Sequence, residues 1–315
     1  MFSFLNRIIA LDLGNYSYKY IEAQLTDKLQ ILRYGSCSTK QLYNSVEPAK
    51  TWKKTGSRIK NAVISFQHKS LITRELELKA YDENHLYSII QEEFNKYQTD
   101  LKEEYDYDFK IQSHIEESGI YLTKAAGISK KANREYIDKV LRLGMRPKAV
   151  DIQINAIIRI MRRAFKHSSS PNLKVPCLLI DLGYSNTTAA IVNFNEIIAL
   201  KSISAGCSML NESHEVQEKY LRDITLLLNQ ITDHYIYSYN SEELKQAFLY
   251  GGGSLSNAVF DYLSGQIPLP CNRINVLAPF LPDLPSDMDL NLYCNCLGSL
   301  YRQEENFTRK EIKND

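Results

Sequence analysis

The chain repeats itself once, and the repeat limits what it can fold into. Residues 9–21 read as an apolar run, then Asp12-Leu13-Gly14, polar residues and an extended stretch. Residues 178–190 follow the same order around Asp181-Leu182-Gly183. Both copies pass a turn, at Asp27-Lys28 and at Asn195-Glu196, into a third extended stretch at 29–34 and 197–203. The aspartates are 169 residues apart, about half of the 315-residue chain. Solenoid repeats are far shorter, so the pattern predicts two related lobes. In each, an apolar strand ends on an aspartate, turns at a glycine and returns as a hairpin. The glycine lets backbone approach a bulky or charged group. The aspartate at a strand end can hold a metal-bound water. One Asp-x-Gly says little; two in matching contexts are much more specific.

A third element follows the second copy. Residues 247–250 read as a strand, Gly251-Gly252-Gly253 as a turn, and Leu255, Ala258, Val259, Tyr262 and Leu263 as the apolar side of a helix. Backbone N–H groups at such a turn suit a phosphate or a ribose. A tight strand-to-helix turn without a ligand is the plainer alternative.

The intervening sequence is an α/β mixture. Strands are expected at 62–66 and 72–78. Asp82 can cap a helix with apolar positions Leu86, Ile89, Ile90, Phe94 and Tyr97. A polar, tyrosine-rich stretch at 103–108 precedes a strand at 119–125. Ser129 can cap a helix bearing Tyr136, Ile137, Val140 and Leu141, which Gly144 ends. A short strand at 149–152, a helix at 156–165 and a serine-rich linker at 167–172 complete the first half. A long helix carries Val216, Tyr220, Ile224, Leu227 and Ile231. The last helix is expected at 292–301, and the charged tail 304–315 is expected to be disordered.

Bulk properties remove several functions. A net charge of +1 sets up no field that would recruit nucleic acid or anionic lipid. No stretch approaches the ~20 apolar residues of a membrane helix, and residues 1–9 do not read as a signal peptide. The expectation is a cytoplasmic chain without direct membrane insertion. The six cysteines form no CxxC pair and the six histidines no metal-binding spacing. They read as buried thiols in a reducing compartment.

Taken in order, the three glycine elements resemble the phosphate-1, phosphate-2 and adenosine motifs of the actin, Hsp70 and sugar-kinase superfamily. The chain resembles more closely the type IV pilus assembly PilM family, a relative of FtsA. The resemblance covers most of the chain. It rests further on Asn-Ala-Val-Ile-Ser-Phe and the strand after it at 61–78, and on Arg142-Leu143-Gly144-Met145-Arg146-Pro147 leading to Asp151-Ile152. The stretch 275–280 matches the strand after the adenosine motif.

The resemblance implies an actin-like, duplicated α/β fold. The first lobe core would be 1–74 with 144–170, an inserted subdomain 75–143, and the second lobe 171–303 with a shortened closing segment at 207–220. Any retained nucleotide site would comprise Asp12, Gly14, Asn15, Ser17, Lys19, Asp181, Gly183, Ser185, Thr187, Gly251, Gly252 and Gly253, with Mg²⁺ held through Asp12 and Asp181. Family members usually carry a longer segment between the equivalents of Gly206 and Gly251, where this chain has 44 residues. Tyr184 replaces a small residue after the second glycine, and Tyr16 enlarges the first loop. A ring beside a phosphate loop can fill the space of the phosphate. On these departures the chain is expected to bind ATP weakly or not at all, and the reading leans away from an enzyme.

The implied function is a scaffold at the inner face of the cell membrane, in a pilus or related secretion system. It would bind the cytoplasmic N-terminal tail of a PilN-like membrane protein, in a groove of 75–143 and the adjoining first lobe. Other pilus components and self-assembly are further implied contacts. The alternatives are an active Mg·ATPase of the same fold and an FtsA-like division filament protein. Against the latter, 304–315 has no apolar helix face for a membrane.

Overall fold

The computed structural model describes residues 7–26, 28–44, 48–53, 60–68, 70–96, 104–167, 176–193, 197–239 and 243–312. Asp27, the Asn195-Glu196 turn, Tyr97 and residues 168–172 of the expected linker lie outside them. Two compact units are present: Met1–Phe66 with Val140–Asp315, and Gln67–Lys139.

In the larger unit the chain starts with β1 (Arg7–Leu13), β2 (Ser17–Leu25) and β3 (Leu29–Ser38), an antiparallel meander. Two short helices that the sequence reading did not anticipate, α1 (Thr39–Tyr43) and α2 (Pro48–Lys53), precede β4 (Asn61–Phe66). α2 brings Trp52 edge-on to Tyr20, with centroids 5.2 Å apart.

The smaller unit is the insertion. It contains β5 (Ile72–Lys79), α3 (Glu83–Asn95), β6 (Tyr105–Ile115) and β7 (Ile120–Ser129), with strand order β5-β7-β6. β5 thus belongs to this sheet, although the expected subdomain began at 75. Leu86, Ile90 and Phe94 of α3 pack on Tyr121 and Ala125. Asp82 caps α3 by accepting from the His85 N–H at 2.8 Å. β6 is an unexpected strand: its Tyr105, Tyr107, Phe109 and Ile111 alternate with polar residues and pack beside the α3 cluster. α4 (Lys130–Arg142) starts at Ser129, whose hydroxyl accepts from the Ala132 N–H, and Gly144 follows it at φ +79°.

The chain continues with β8 (Arg146–Ile152) and α5 (Gln153–His167). β8 completes a first five-stranded sheet, β3-β2-β1-β4-β8. After residue 175 the same plan recurs with β9 (Cys177–Leu182), β10 (Thr187–Val192) and β11 (Ile197–Ile203). A 3-10 turn (Cys207–Asn211) leads into α6 (His214–Tyr239), then β12 (Ala247–Tyr250), α7 (Asn257–Gln266) and β13 (Cys271–Arg273). The second sheet is β11-β10-β9-β12-β13, the first order repeated. Each sheet opens with an antiparallel meander and adds two parallel strands. β9 and β10 are buried along their whole length, which fits sequences that are apolar apart from Asp181, Thr187 and Thr188.

Two terminal expectations need correction. Residues 275–280 are not a strand but lie in a 3-10 turn (Ile274–Phe280) that contains Pro279, which has no N–H for a ladder. The strand is the short β13 before it. The last helix, α8 (Leu290–Ile312), continues into the segment expected to be disordered. Its Glu304 pairs with Arg163 of α5 at 2.7 Å and accepts from the Leu29 N–H at 3.0 Å. α8 also packs closely along α5: a Cβ on Gly298 would lie 2.0 Å from the Ala156 carbonyl oxygen, so only glycine fits that crossing. A core cluster built from β1, β2, α5, β9, β12 and α8 joins both sheets.

Candidate functional site

The two Asp-Leu-Gly turns face each other. Asp12 ends β1 and is buried; the hairpin register sets it opposite Lys19 on β2. The Lys19 ammonium donates to Asp12 Oδ2 at 3.4 Å. Gln153, at the start of α5, donates to Asp12 Oδ1 at 2.9 Å, and Asn295 of α8 donates to Oδ2 at 3.3 Å. Burial pulls the Lys19 ammonium down, but the facing carboxylates, Asp12 first and then Asp181, outweigh it and hold the pKa above the usual lysine range. Sequence reasoning found Lys19 but not Gln153 or Asn295. Neither lies in a motif, and only the folding of α5 and α8 onto β1 brings them there.

Asp181 ends β9 in the equivalent position. Burial, and then the charge of Asp12, push its carboxyl up to about 7, with Lys19 acting against both. It stands against the third glycine element: a Cβ on Gly251 would lie 2.4 Å from Asp181 Oδ1 and 2.9 Å from the Leu182 carbonyl oxygen. Gly251 also has φ +83°, so a side chain there meets both strain and collision. Gly252 faces open space, whereas Gly253 is buried on Leu182 and Cys207.

The loops after the two turns meet. Asn15 Nδ2 donates to Ser185 Oγ, and the Tyr16 and Tyr184 rings pack with centroids 5.0 Å apart at 36°. These rings lie at the surface, with 67% and 40% of their area exposed. Backbone contacts fix both loops. The Gly14 carbonyl accepts from the Thr39 hydroxyl at 2.8 Å, and the Tyr16 carbonyl from the Thr39 N–H at 3.1 Å. The Gly183 and Tyr184 carbonyls accept from the N–H groups of Cys207 and Ser208, each at 2.9 Å.

The other candidates fall in different places. Ser17 starts β2 and is half-buried beside the first loop. Thr187 is fully buried, and its hydroxyl donates to the Ala205 carbonyl at 2.8 Å and meets the Tyr220 hydroxyl at 3.2 Å, within the second lobe. The structure therefore gathers the buried Asp12 and Asp181 with the half-buried Lys19 and Gly251, brings the adjoining loop residues Asn15, Tyr16, Tyr184 and Ser185 together, and leaves Thr187 in the core. Among the described residues, no group of three or more His, Cys, Asp or Glu is arranged to hold a metal ion. All six cysteines are free, and Cys177, Cys294 and Cys296 are buried with their thiol pKa raised by that burial. No helix among the described residues is long and apolar enough to cross a membrane.

Comparison with known proteins places this arrangement. A solved structure described as the PilM-PilN type IV pilus biogenesis complex superposes with a TM-score of 0.76, at 14% identity, over 94% of this chain and 98% of that one. A Bacteroides thetaiotaomicron protein with an actin-like ATPase fold aligns at a TM-score of 0.48 and 11% identity, over 89% and 98% of the two chains. The cytoplasmic domain of EpsL, an inner-membrane component of the Vibrio cholerae type II secretion system, aligns at 0.47 and 9%, over 87% and 92%. No curated protein matches the chain in sequence. The fold is actin-like. The family model for the type IV pilus assembly protein PilM matches residues 35–224. As that match spans more than half of the sequence, this chain belongs to the PilM family.

Proposed function

We propose that this chain is a cytoplasmic scaffold in the assembly of a type IV pilus or related secretion system, held at the inner face of the membrane by a partner, and that its cleft works without nucleotide. Family membership supports the pilus role, and the structural likeness to a PilM-PilN complex supports a PilN-like partner.

The observation that carries the second half is the set of groups around Asp12. Its carboxylate is already occupied by Lys19, Gln153 and Asn295. A magnesium-bound water would have to share the Asp12 carboxylate with an ammonium already paired to it. On this reading the cleft residues hold one another in place of a magnesium nucleotide. The contact of Tyr16 with Tyr184 between the two glycine loops supports the same reading. Finally, the short segment from Gly206 to Gly251 forms a 3-10 turn and one helix, with little left to cover an adenine.

On this reading the partner's tail binds the inserted unit. A three-stranded sheet has two edges, here β5 and β6, and a peptide can add to an edge as a strand. Calorimetry tests both halves. A peptide of the cytoplasmic tail of a PilN-like protein should bind the full chain, and replacing the inserted unit, Gln67–Lys139, by a short linker in a still-folded protein should abolish it. Mg·ATP should give no heat. Mg·ATP binding tighter than about 10 μM, roughly −7 kcal/mol, lost in Asp12→Ala with Asp181→Ala, would instead establish an active nucleotide site.

A further inference from the structure

Two lobes of an actin-like fold enclose a cleft, and something must hold their facing turns together against the repulsion of two aspartates. Side chains of this chain itself meet between the turns. We infer that the cleft carries a built-in latch: Lys19 supplies the positive charge between the two aspartates, and the Tyr16–Tyr184 and Asn15–Ser185 pairs tie the turns together with nothing bound between them. The inference rests on the nucleotide-free reading of the cleft and adds a device to it.

Three observations carry the latch. First, the Lys19 ammonium pairs with Asp12 of its own lobe at 3.4 Å, with a weaker attraction to Asp181 of the other lobe. An ammonium there offsets part of the repulsion between the two carboxyl groups. Second, the bridging pairs are offset between the lobes. The tyrosine is the second residue after Gly14 but the first after Gly183, and the amide and hydroxyl occupy the complementary places. The offset lets each tyrosine meet the other's ring while Asn15 meets Ser185. Third, both loops are anchored from behind, by Thr39 in the first lobe and by Cys207 and Ser208 in the second. Anchored loops lose little further freedom on meeting, so weak contacts between them hold well. The same logic predicts coupling: once either tyrosine is gone, the other has nothing to hold.

Hydrogen exchange on the full-length protein without nucleotide tests the latch. Tyr16→Ala and Tyr184→Ala change surface side chains, so both variants should fold. Each should speed exchange in the segments 14–17 and 183–186 by about five-fold, the scale of one lost aromatic contact. The double variant should exchange no faster than either single one, because both remove the same bridge. Lys19→Gln should speed both segments too, and Lys19→Arg should restore them. Unchanged exchange in the tyrosine variants, or effects that add in the double variant, would overturn the latch. If wild-type protein gives no heat with Mg·ATP and yet the tyrosine variants exchange normally, the latch alone fails. If wild-type protein binds Mg·ATP, the nucleotide-free reading beneath it fails instead.

Discussion

Asp12 and Asp181 end equivalent strands in the same Asp-Leu-Gly sequence, yet only the first has a cation opposite it. The hairpin register pairs Asp12 with Lys19 and Asp181 with Thr188. Thr188 turns its hydroxyl to Ser202 of β11, 2.8 Å away, and offers no charge. The first aspartate also collects Gln153 and Asn295, whereas the second is pressed against the Gly251 backbone. One copy of the motif has thus become an ion-pair centre. The other is a carboxyl whose burial and like-charged neighbour raise it to about 7. The difference teaches that a repeated backbone motif sets where a carboxylate stands. Its chemical state comes from the strand opposite and from helices that arrive later in the chain.

The largest break in this comparison should come from Lys19→Met. It leaves Asp12 as a buried carboxylate without its cation, and unfolding by urea should show a loss of about 3 kcal/mol. Thr188→Val removes the residue in the equivalent place and should cost far less. Next comes Gly251→Ala, which should lose about 2 kcal/mol because φ is positive and the methyl group meets the Asp181 carboxyl. Gly252→Ala, one residue away in open space, should change stability by less than about 0.5 kcal/mol.

The pH dependence sharpens the comparison further. Asp181 has a folded pKa raised above its unfolded value, so the folded state holds the extra proton. Its contribution to stability is therefore full below the ordinary carboxylate range and declines as pH rises toward and through about 7. Stability measured across that window should flatten in Asp181→Asn, with a difference in slope of up to about 1.4 kcal/mol per pH unit, the limit for one proton. The smallest effect is expected for Thr188→Val itself. The shapes match and exposed Ser202 can turn to water, so the change should stay within about 0.5 kcal/mol. A Thr188→Val loss as large as that of Lys19→Met would erase the distinction between the lobes.

Much of the fold was legible because its signals are local. The strand, aspartate, glycine and hairpin pattern needs only neighbouring residues, and it occurs twice. The Asp82 and Ser129 caps and the Gly144 stop were legible for the same reason. β6 was missed although its Tyr105, Tyr107, Phe109 and Ile111 alternate, because aspartates and lysines between them make the stretch look like a solvated loop. The continuation of α8 was missed because its charged end reads as a tail, while Glu304 finds Arg163 only after the helix has packed on α5.

By itself, then, the sequence determined a duplicated α/β chain with paired turns and an insertion, since periodicity, caps and a long-range repeat are written along the backbone. Only the tertiary structure decided what those turns face. Gln153 and Asn295 lie 141 and 283 positions from Asp12, and Ser185 lies 170 from Asn15. No local pattern encodes a contact across such distances. Those groups meet because the apolar faces of α5, α8 and both sheets bury one another in a shared core, and the polar groups at its edge are carried to the cleft with them.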